Sequence, residues 1–247
     1  MNYQAFATLY DTLMADAPYG EWIHFLNKQL NVTNLEGQRI LDVGCGTGEL
    51  LVRLKQQGAD VTGVDLSAEM LTIAKEKCEQ YGFSPLLIQQ SMTDLEDLGQ
   101  FDVVTLFCDS LNYLETEQDV VKTFECINKL LKKGGYLLFD VHSVSKIENG
   151  FIGQTFAEDA GEVAYIWTSF EGVAPHSVEH ELTFFVQNES HHYEKKFELH
   201  KQRTFPVEQY KKWLQKGYDD ITVQADFTSF APTAESERIF FSCRKKD

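Results

Sequence analysis

The run Ile40-Leu41-Asp42-Val43-Gly44-Cys45-Gly46-Thr47-Gly48-Glu49 leaves a chain few ways to fold. A short apolar stretch ends at an acidic residue, and three glycines follow on alternate positions. Leu50, Leu51 and Leu54 then recur at helical spacing. The segment reads as a buried strand, a tight turn and a helix N-terminus. Glycine gives the turn access to positive φ and lets a ligand lie against bare backbone. The helix start offers unpaired N–H groups to a polar or anionic group. A turn of this kind is expected to hold a small molecule.

Spacing narrows the choice of ligand. A dinucleotide fingerprint reads G-x-G-x-x-G. Here the glycines are spaced G-x-G-x-G, Asp42 precedes them, and no phosphate-loop lysine follows Gly48. A second β-branched run, Val61-Thr62-Gly63-Val64-Asp65-Leu66-Ser67, ends in a carboxylate 21 positions after Gly44. A carboxylate at the tip of the second strand can accept hydrogen bonds from both ribose hydroxyls of an adenosine. Taken alone, these residues also allow a turn that binds nothing, or a variant NAD site. Together they resemble motif I and the following acidic motif of the class I S-adenosylmethionine-dependent methyltransferases.

Composition sets limits. The chain has 247 residues, 43% of them hydrophobic, enough for a single α/β domain with an elaboration over residues 1–247. No window offers the ~18 uninterrupted apolar residues of a membrane span. The opening Met1-Asn2-Tyr3-Gln4-Ala5-Phe6 lacks the basic and apolar regions of a signal peptide. Five cysteines (Cys45, Cys78, Cys108, Cys126, Cys243) form no C-x-x-C pair and read as buried thiols of a cytoplasmic protein. Cysteine and histidine show no zinc-ligand spacing, so no metal is expected. The net charge is −16. Lys195-Lys196 and Lys211-Lys212 are isolated doublets, and Arg244-Lys245-Lys246 reads as a terminal tail. Such a surface argues against nucleic acid and favours a small, cationic or amine-bearing partner.

Strand and helix alternate after the glycine turn. Residues 40–44, 61–65, 85–89, 102–107 and 136–141 read as strands, and 48–56, 67–80 and 117–132 as helices. Gly58, Gly82 and Gly134-Gly135 read as helix stops. This order predicts a mostly parallel sheet covered by helices on both faces. Ahead of it, Tyr3 to Leu13 and Tyr19 to Leu30 have helical spacing, and residues 1–35 are expected to form a helical lid. From about 149 to 204 alternating runs replace helices: Val163 to Trp167, Glu179 to Val186 and Tyr193 to Leu199. These predict an antiparallel β insertion that caps the sheet. A helix from Pro206 to Gly217 and strands at 220–226 and 238–243 complete an expected seven-stranded Rossmann-like fold.

The resemblance implies residues for each role. The donor site would comprise Gly44, Gly46 and Gly48 with Cys45 in their turn, Asp42 near the amino group, and Asp65 on the ribose. Leu66, Met70, Ser91, Met92, Thr93, Phe107, Asp109 and Tyr10 would complete it. Ser91 stands where many members carry an acidic adenine partner, and a hydroxyl accepts there without charge. Met92 either flanks the adenine or fills core. The stretch after the fourth strand, Cys108-Asp109-Ser110-Leu111-Asn112-Tyr113, has neither a [D/N]-P-P-Y motif nor a Pro-Cys nucleophile. The first absence argues against adenine N6 or glutamine as acceptor, and the second against cytosine C5.

Several wider features are similar to a bacterial branch, the YqeM-type methyltransferases, and more distantly to amino-sugar N,N-dimethyltransferases. They are the opening Phe6-Ala7-Thr8-Leu9-Tyr10-Asp11, the strand end Phe139-Asp140-Val141-His142-Ser143, the insertion, and the tail from His200-Lys201-Gln202-Arg203 to Arg238-Ile239-Phe240-Phe241. In-line methyl transfer draws most of its acceleration from alignment, so a general base is optional. His142 is the first candidate for one, or else a histidine hydrogen-bonded at a strand end. Tyr10 either joins it at the reacting centre or packs. Asp109 and Tyr113 either bind a cationic acceptor or cap a loop. His176, His180, His191, His192 and His200 fall in the insertion, and alternation leaves open which side faces inward. The expected function is methyl transfer from S-adenosylmethionine to a small acceptor. A non-catalytic binder of the donor or its demethylated product, and an NAD-dependent oxidoreductase, are the alternatives.

Overall fold

The computed structural model describes residues 9–11, 13–159, 161–188 and 190–246. Residues 3–8 and 12 of the first expected helix, with Phe6-Ala7-Thr8 of the opening, lie outside the described residues. The chain then runs α1 (Tyr19–Leu30), β1 (Arg39–Val43), α2 (Glu49–Gln56), β2 (Asp60–Asp65), α3 (Ala68–Gln80), β3 (Leu86–Gln89) and β4 (Phe101–Leu106). A 3₁₀ turn (Ser110–Tyr113), α4 (Glu117–Leu130) and β5 (Leu131–His142) follow. After a π-helical turn (Lys146–Phe151) come β6 (Thr155–Asp159), β7 (Val163–Glu171), β8 (Ser177–Gln187) and β9 (Tyr193–Arg203). The described chain closes with α5 (Val207–Leu214), β10 (Tyr218–Ala225) and β11 (Arg238–Lys245).

Local chemistry fixes several of these ends. The Ser67 hydroxyl accepts from the Met70 amide at 3.1 Å and starts α3; Thr116 does the same for α4 through Asp119, also at 3.1 Å. Asn31, in the left-handed region at φ 55°, ends α1.

Seven strands form one sheet in the order β10-β11-β5-β4-β1-β2-β3, and β11 runs antiparallel to both of its neighbours. Alternate residues of the central strands feed two cores. Leu41, Val43, Val104, Leu106 and Phe139 pack with Phe124, Ile127, Tyr210 and Leu214 from α4 and α5. Ile40, Val61, Val103, Leu138 and Phe240 pack with Trp22, Leu26, Leu51 and Ala74 from α1, α2 and α3. A sheet buried on both faces explains why its strands read as nearly continuous apolar runs. Fully burying one such leucine or phenylalanine is worth about 1.5–3 kcal/mol.

The order of connection reverses beside β1: β2 and β3 lie on one side, β4 and β5 on the other. In sheets of this kind the ligand crevice opens beyond the carboxyl ends of the strands at the reversal. The remaining four strands form an antiparallel meander, β6-β7-β8-β9, inserted between β5 and α5.

Four details depart from expectation. β5 begins at Leu131, so Gly134 and Gly135 lie inside a strand paired with β4 rather than ending a helix. The region after residue 146 opens with a π-helical turn. β6 is an additional cap strand, exposed along its whole length and so without apolar alternation to announce it. Arg244 and Lys245 are not a tail but the end of β11, where Arg244 donates to the Gly134 carbonyl (3.0 Å) and Lys245 to that of Leu131 (2.7 Å).

Candidate functional site

The crevice has two halves. The first is the glycine turn between β1 and α2. Gly44, Gly46 and Gly48 all have positive φ, at 73°, 52° and 82°. At Gly44 this is doubly required, because an added Cβ would lie 2.7 Å from both Cβ and Oγ of Ser110. The turn is held by Asp65 at the end of β2: one carboxylate oxygen accepts from the Gly46 amide and the other from Ser67, each at 2.9 Å. Burial raises the Asp65 pKa, while those amides and that of Leu66 pull it back. Each oxygen keeps a lone pair for a further donor such as a ribose hydroxyl.

Asp42 lies beneath the turn, 2% exposed. One of its oxygens accepts from the Thr105 hydroxyl at 2.7 Å, and the other is buried without a partner. Burial pushes its carboxyl up to about 7, against the Thr105 hydrogen bond, with the Asp65 charge adding to burial. A buried acceptor of this kind calls for an N–H or O–H from a bound molecule. An unfolded aspartate titrates near ~3.9. The folded chain therefore holds an extra proton from about pH 4 up to about 7 and loses stability as pH rises through that window. Asp42→Asn is expected to abolish that loss. Without donor, the variant should unfold at higher urea than the parent at pH 8 and at similar urea at pH 4.

The other expected donor-site residues surround this turn. Cys45 is buried, and its amide donates to the Val64 carbonyl at 3.0 Å. Leu66 is 70% exposed at the rim, and Met70 lies in the first turn of α3. The Ser91 hydroxyl is engaged locally, 2.8 Å from that of Thr93. Met92 packs on the α4 side of the core, and its Cε would lie 4.0 Å from a Cβ added at Gly44. Phe107 is buried in the core behind the crevice.

The second half is a cavity of about 520 Å³ between the ends of β4, β5 and β11 and the inner face of the cap. Tyr10, Tyr113, Phe151, Tyr165, Trp167 and Phe227 give it aromatic walls, and Asp109, His142 and Arg238 give it a polar floor. Asp109 has φ 52° and Cys108 before it 54°, a left-handed pair without glycine. Asp140 holds that pair. Fully buried, it accepts from the Cys108 amide (2.9 Å), the Asp109 amide (3.1 Å), the Trp22 indole (2.7 Å) and the Arg238 guanidinium. Adjacent backbone N–H groups turned the same way are a natural seat for a carboxylate.

The Asp109 carboxylate is then shared by three donors. Arg238 reaches one oxygen at 3.0 Å; Gln202 Nε2 at 2.9 Å and His142 Nε2 at 3.3 Å reach the other. Burial opposes its ionisation, but the imidazole, the guanidinium and these hydrogen bonds hold its pKa well below the usual carboxylate range. Burial and the neighbouring Cys108, Tyr19, Tyr113 and Asp109 raise the Tyr10 phenol, which stays protonated. His142 is clamped through its backbone, donating to Asn112 (2.9 Å) and accepting from Thr204 (2.6 Å). Its ring meets Phe151 edge-on, with centroids 5.1 Å apart.

Of the insertion histidines, His180 and His200 face the cavity. His176 instead pairs with Glu148 at 2.7 Å, and His191 and His192 lie exposed near the β8–β9 turn. The expected buried thiols are buried except Cys108, which is half-buried at the cavity.

The N-terminal segment joins the two halves. Leu9 packs with Leu182 and Phe184 of the cap. Asp11 accepts from the Thr47 hydroxyl of the glycine turn at 2.6 Å and pairs with Lys77 at 2.7 Å. Asp140, Gln202 and Arg238 fall in the stretches that resemble the bacterial branch but have no role assigned there, and Trp22 and Phe151 belong to no motif; their contacts run across the whole chain. The one local hint is a polar residue set in an apolar strand, as at Asp140.

A glycine turn with an anchored carboxylate, at the reversal of a seven-stranded sheet and facing a capped cavity, defines a Rossmann-like methyltransferase. A family model described as a methyltransferase domain matches residues 40–135. The chain belongs to the class I S-adenosylmethionine-dependent methyltransferase family. It is 50% identical over 247 residues to a protein of Geobacillus sp. (strain WCH70) assigned as a methyltransferase, covering 99% of this chain and 100% of that one. It is 46% identical over 248 residues to YqeM of Bacillus subtilis (strain 168), also assigned as a methyltransferase, covering 99% and 98%. The crystal structure of an S-adenosylmethionine-dependent methyltransferase from Clostridium acetobutylicum ATCC 824 superposes with a TM-score of 0.88 at 30% identity, covering 99% of each chain. No helix among the described residues is long and apolar enough to cross a membrane.

Proposed function

We propose that the chain methylates a small amine, held in the cavity beneath the cap, with S-adenosylmethionine as donor. The observation that carries this reading is the cavity itself: aromatic walls over a floor in which carboxylates outnumber cations. Among the lining residues Asp109, Asp226 and Glu237 stand against Arg238 and Lys146. Rings and excess negative charge attract an ammonium group.

The glycine turn fits the donor because its partnerless Asp42 oxygen awaits a hydrogen-bond donor and its backbone admits nothing bulkier than glycine at residue 44. Asp42 would serve the amino group, Asp65 the ribose, and Met92 with Leu66 the adenine side. Bound there, S-adenosylmethionine supplies a methyl carbon made electrophilic by its sulfonium. On the other side, Asp109 and the aromatic walls orient the acceptor. His142 is placed to take the proton that an ammonium must shed to bare its lone pair. Tyr10, protonated, offers a hydroxyl rather than a base. The Leu9 to Asp11 segment excludes water from the junction, and residues 1–35 and about 149–204 act as lid and cap of one methyltransferase domain.

The test is titration calorimetry with S-adenosylmethionine, its demethylated product and NAD, followed by labelled-methyl assays on a panel of small amines, alcohols and acids. Asp65→Ala removes a charged hydrogen-bond acceptor worth about 1.5–3 kcal/mol. It is expected to weaken both sulfur ligands by about 10- to 100-fold. Labelling confined to alcohols or acids would overturn the amine, and binding indifferent to Asp65 would overturn the assigned donor site.

A further inference from the structure

Gln202 touches neither the glycine turn nor the backbone of His142, yet its side chain sits where the cap meets the floor of the cavity. Its Nε2 donates to the Asp109 oxygen that His142 also reaches, at 2.9 Å against 3.3 Å. Its carbonyl oxygen is thereby left for the cap. His180 is fixed on that side: its Nδ1 lies 2.9 Å from the Trp167 indole nitrogen and 2.8 Å from the Ser169 hydroxyl. An indole N–H only donates, so Nδ1 accepts and the proton resides on Nε2. That Nε2–H is buried with no partner in hydrogen-bond geometry, and Gln202 lies near enough to bear on the charge of the ring. Two sets of polar contacts thus lie side by side, Trp167 and Ser169 on His180 in the cap, and Gln202 and His142 on Asp109 at the floor.

We infer that Gln202, seated beside His180 of the cap, is a positioning residue that competes with His142 for one oxygen of Asp109 and so sets the pH at which His142 can accept a proton. The inference rests on the reading of His142 as the acceptor-side base. A carboxylate oxygen that already accepts from an amide has less electron density for a second donor. Removing the amide returns that density to the imidazolium and favours its protonated form.

The other groups around His142 leave Gln202 this role. Arg238, backed by Asp140, occupies the opposite oxygen of Asp109 and keeps its charge throughout. Burial pushes His180 down to about 4, against the Gln202 contact, and His200 down to about 4, so both are neutral in the working range. Lys146 and Glu237 pair with each other at 2.9 Å. Asp226 is turned to the Glu237 and Arg238 amides, and the Tyr10 phenol is protonated. Tyr113 meets both Gln202 and His200.

The experiment is an NMR titration of the histidine rings in the full chain, with the His142 signal identified by its loss in His142→Asn. Gln202→Met keeps the volume and removes the donor. It is expected to move the His142 midpoint upward by about half a unit to one unit. His180→Phe removes no charge above about pH 5 and should move it in the same direction by less. The acid limb of the activity profile should follow, which loosened packing alone would not produce. An unchanged or lowered midpoint in Gln202→Met overturns the inference. If that variant has no cooperative unfolding transition, the sign of the His180→Phe shift decides. Full methyl transfer by His142→Asn would instead overturn the reading of His142 as base, while the titration still reports the coupling.

Discussion

Arg238→Ala is expected to lose about 3–5 kcal/mol of stability, the scale on which breaking a buried ion pair is felt. The guanidinium is the only partner of opposite charge within ion-pair distance of Asp140 among the described residues, and it also holds Asp109. Asp140 is fully buried, and burial already pushes its carboxyl up against the pull of Arg238 and its other donors. The planar head lies over Trp22, 5.1 Å from the ring centroid, so a shorter cation would lose this contact as well. Urea unfolding at pH 7 measures the loss. The double variant Arg238→Ala, Asp140→Asn should recover part of it, because the uncompensated charge is gone. If Arg238→Ala costs less than about 1 kcal/mol, the network does not bear on folding as described.

The second large effect is expected at Gly44. Alanine there must adopt φ 73° and bring its methyl within 2.7 Å of Ser110. The left-handed backbone alone costs about 1–2 kcal/mol. Ser110 has little room to retreat, because its hydroxyl donates to the Phe107 carbonyl at 2.7 Å. Relief therefore has to come from the turn, and the donor site deforms with it. Donor affinity should fall about 100-fold or more, a loss of about 2.7 kcal/mol or more by calorimetry. Ser110→Gly in the same chain should restore part of the affinity by removing the collision, but not the backbone strain. Wild-type affinity in Gly44→Ala would contradict the placement of the donor against this turn.

What could be read in the sequence and what could not divide along contact distance. The glycine turn, Asp42 and Asp65 lie within a few dozen residues, and their spacing is imposed by one strand–turn–helix–strand unit. The sheet was legible because burial on both faces leaves apolar runs. Of the cavity floor, Asp109 and His142 are legible as strand-end residues but their partners are not, because Asp109 meets Gln202 and Arg238 across 93 and 129 residues, and no local pattern encodes those meetings. The π-helical turn that delivers Phe151 has no repeat of its own to detect. β5 starts five residues ahead of the run that reads as a strand, because a glycine pair usually marks a stop, yet here the strand continues across an irregularity in its pairing with β4 between Leu131 and Tyr136. For the cap histidines, alternation gave the two faces but not their direction, which only docking on the sheet decides.

In the proposed function the donor would be handled chiefly by residues 42–94, a single contiguous stretch. The cavity proposed for the acceptor is lined by side chains drawn from the N-terminal segment, the strand ends and, above all, an inserted sheet. Substitutions on the inner face of that sheet at Tyr165, Trp167, Leu182 or His200 alter the shape of the cavity without touching Gly44, Asp42 or Asp65. Such a division lets one half of the catalyst stay constant while the other is re-addressed. New acceptors should therefore be sought by varying the cap, with donor affinity as the measure of what must not change.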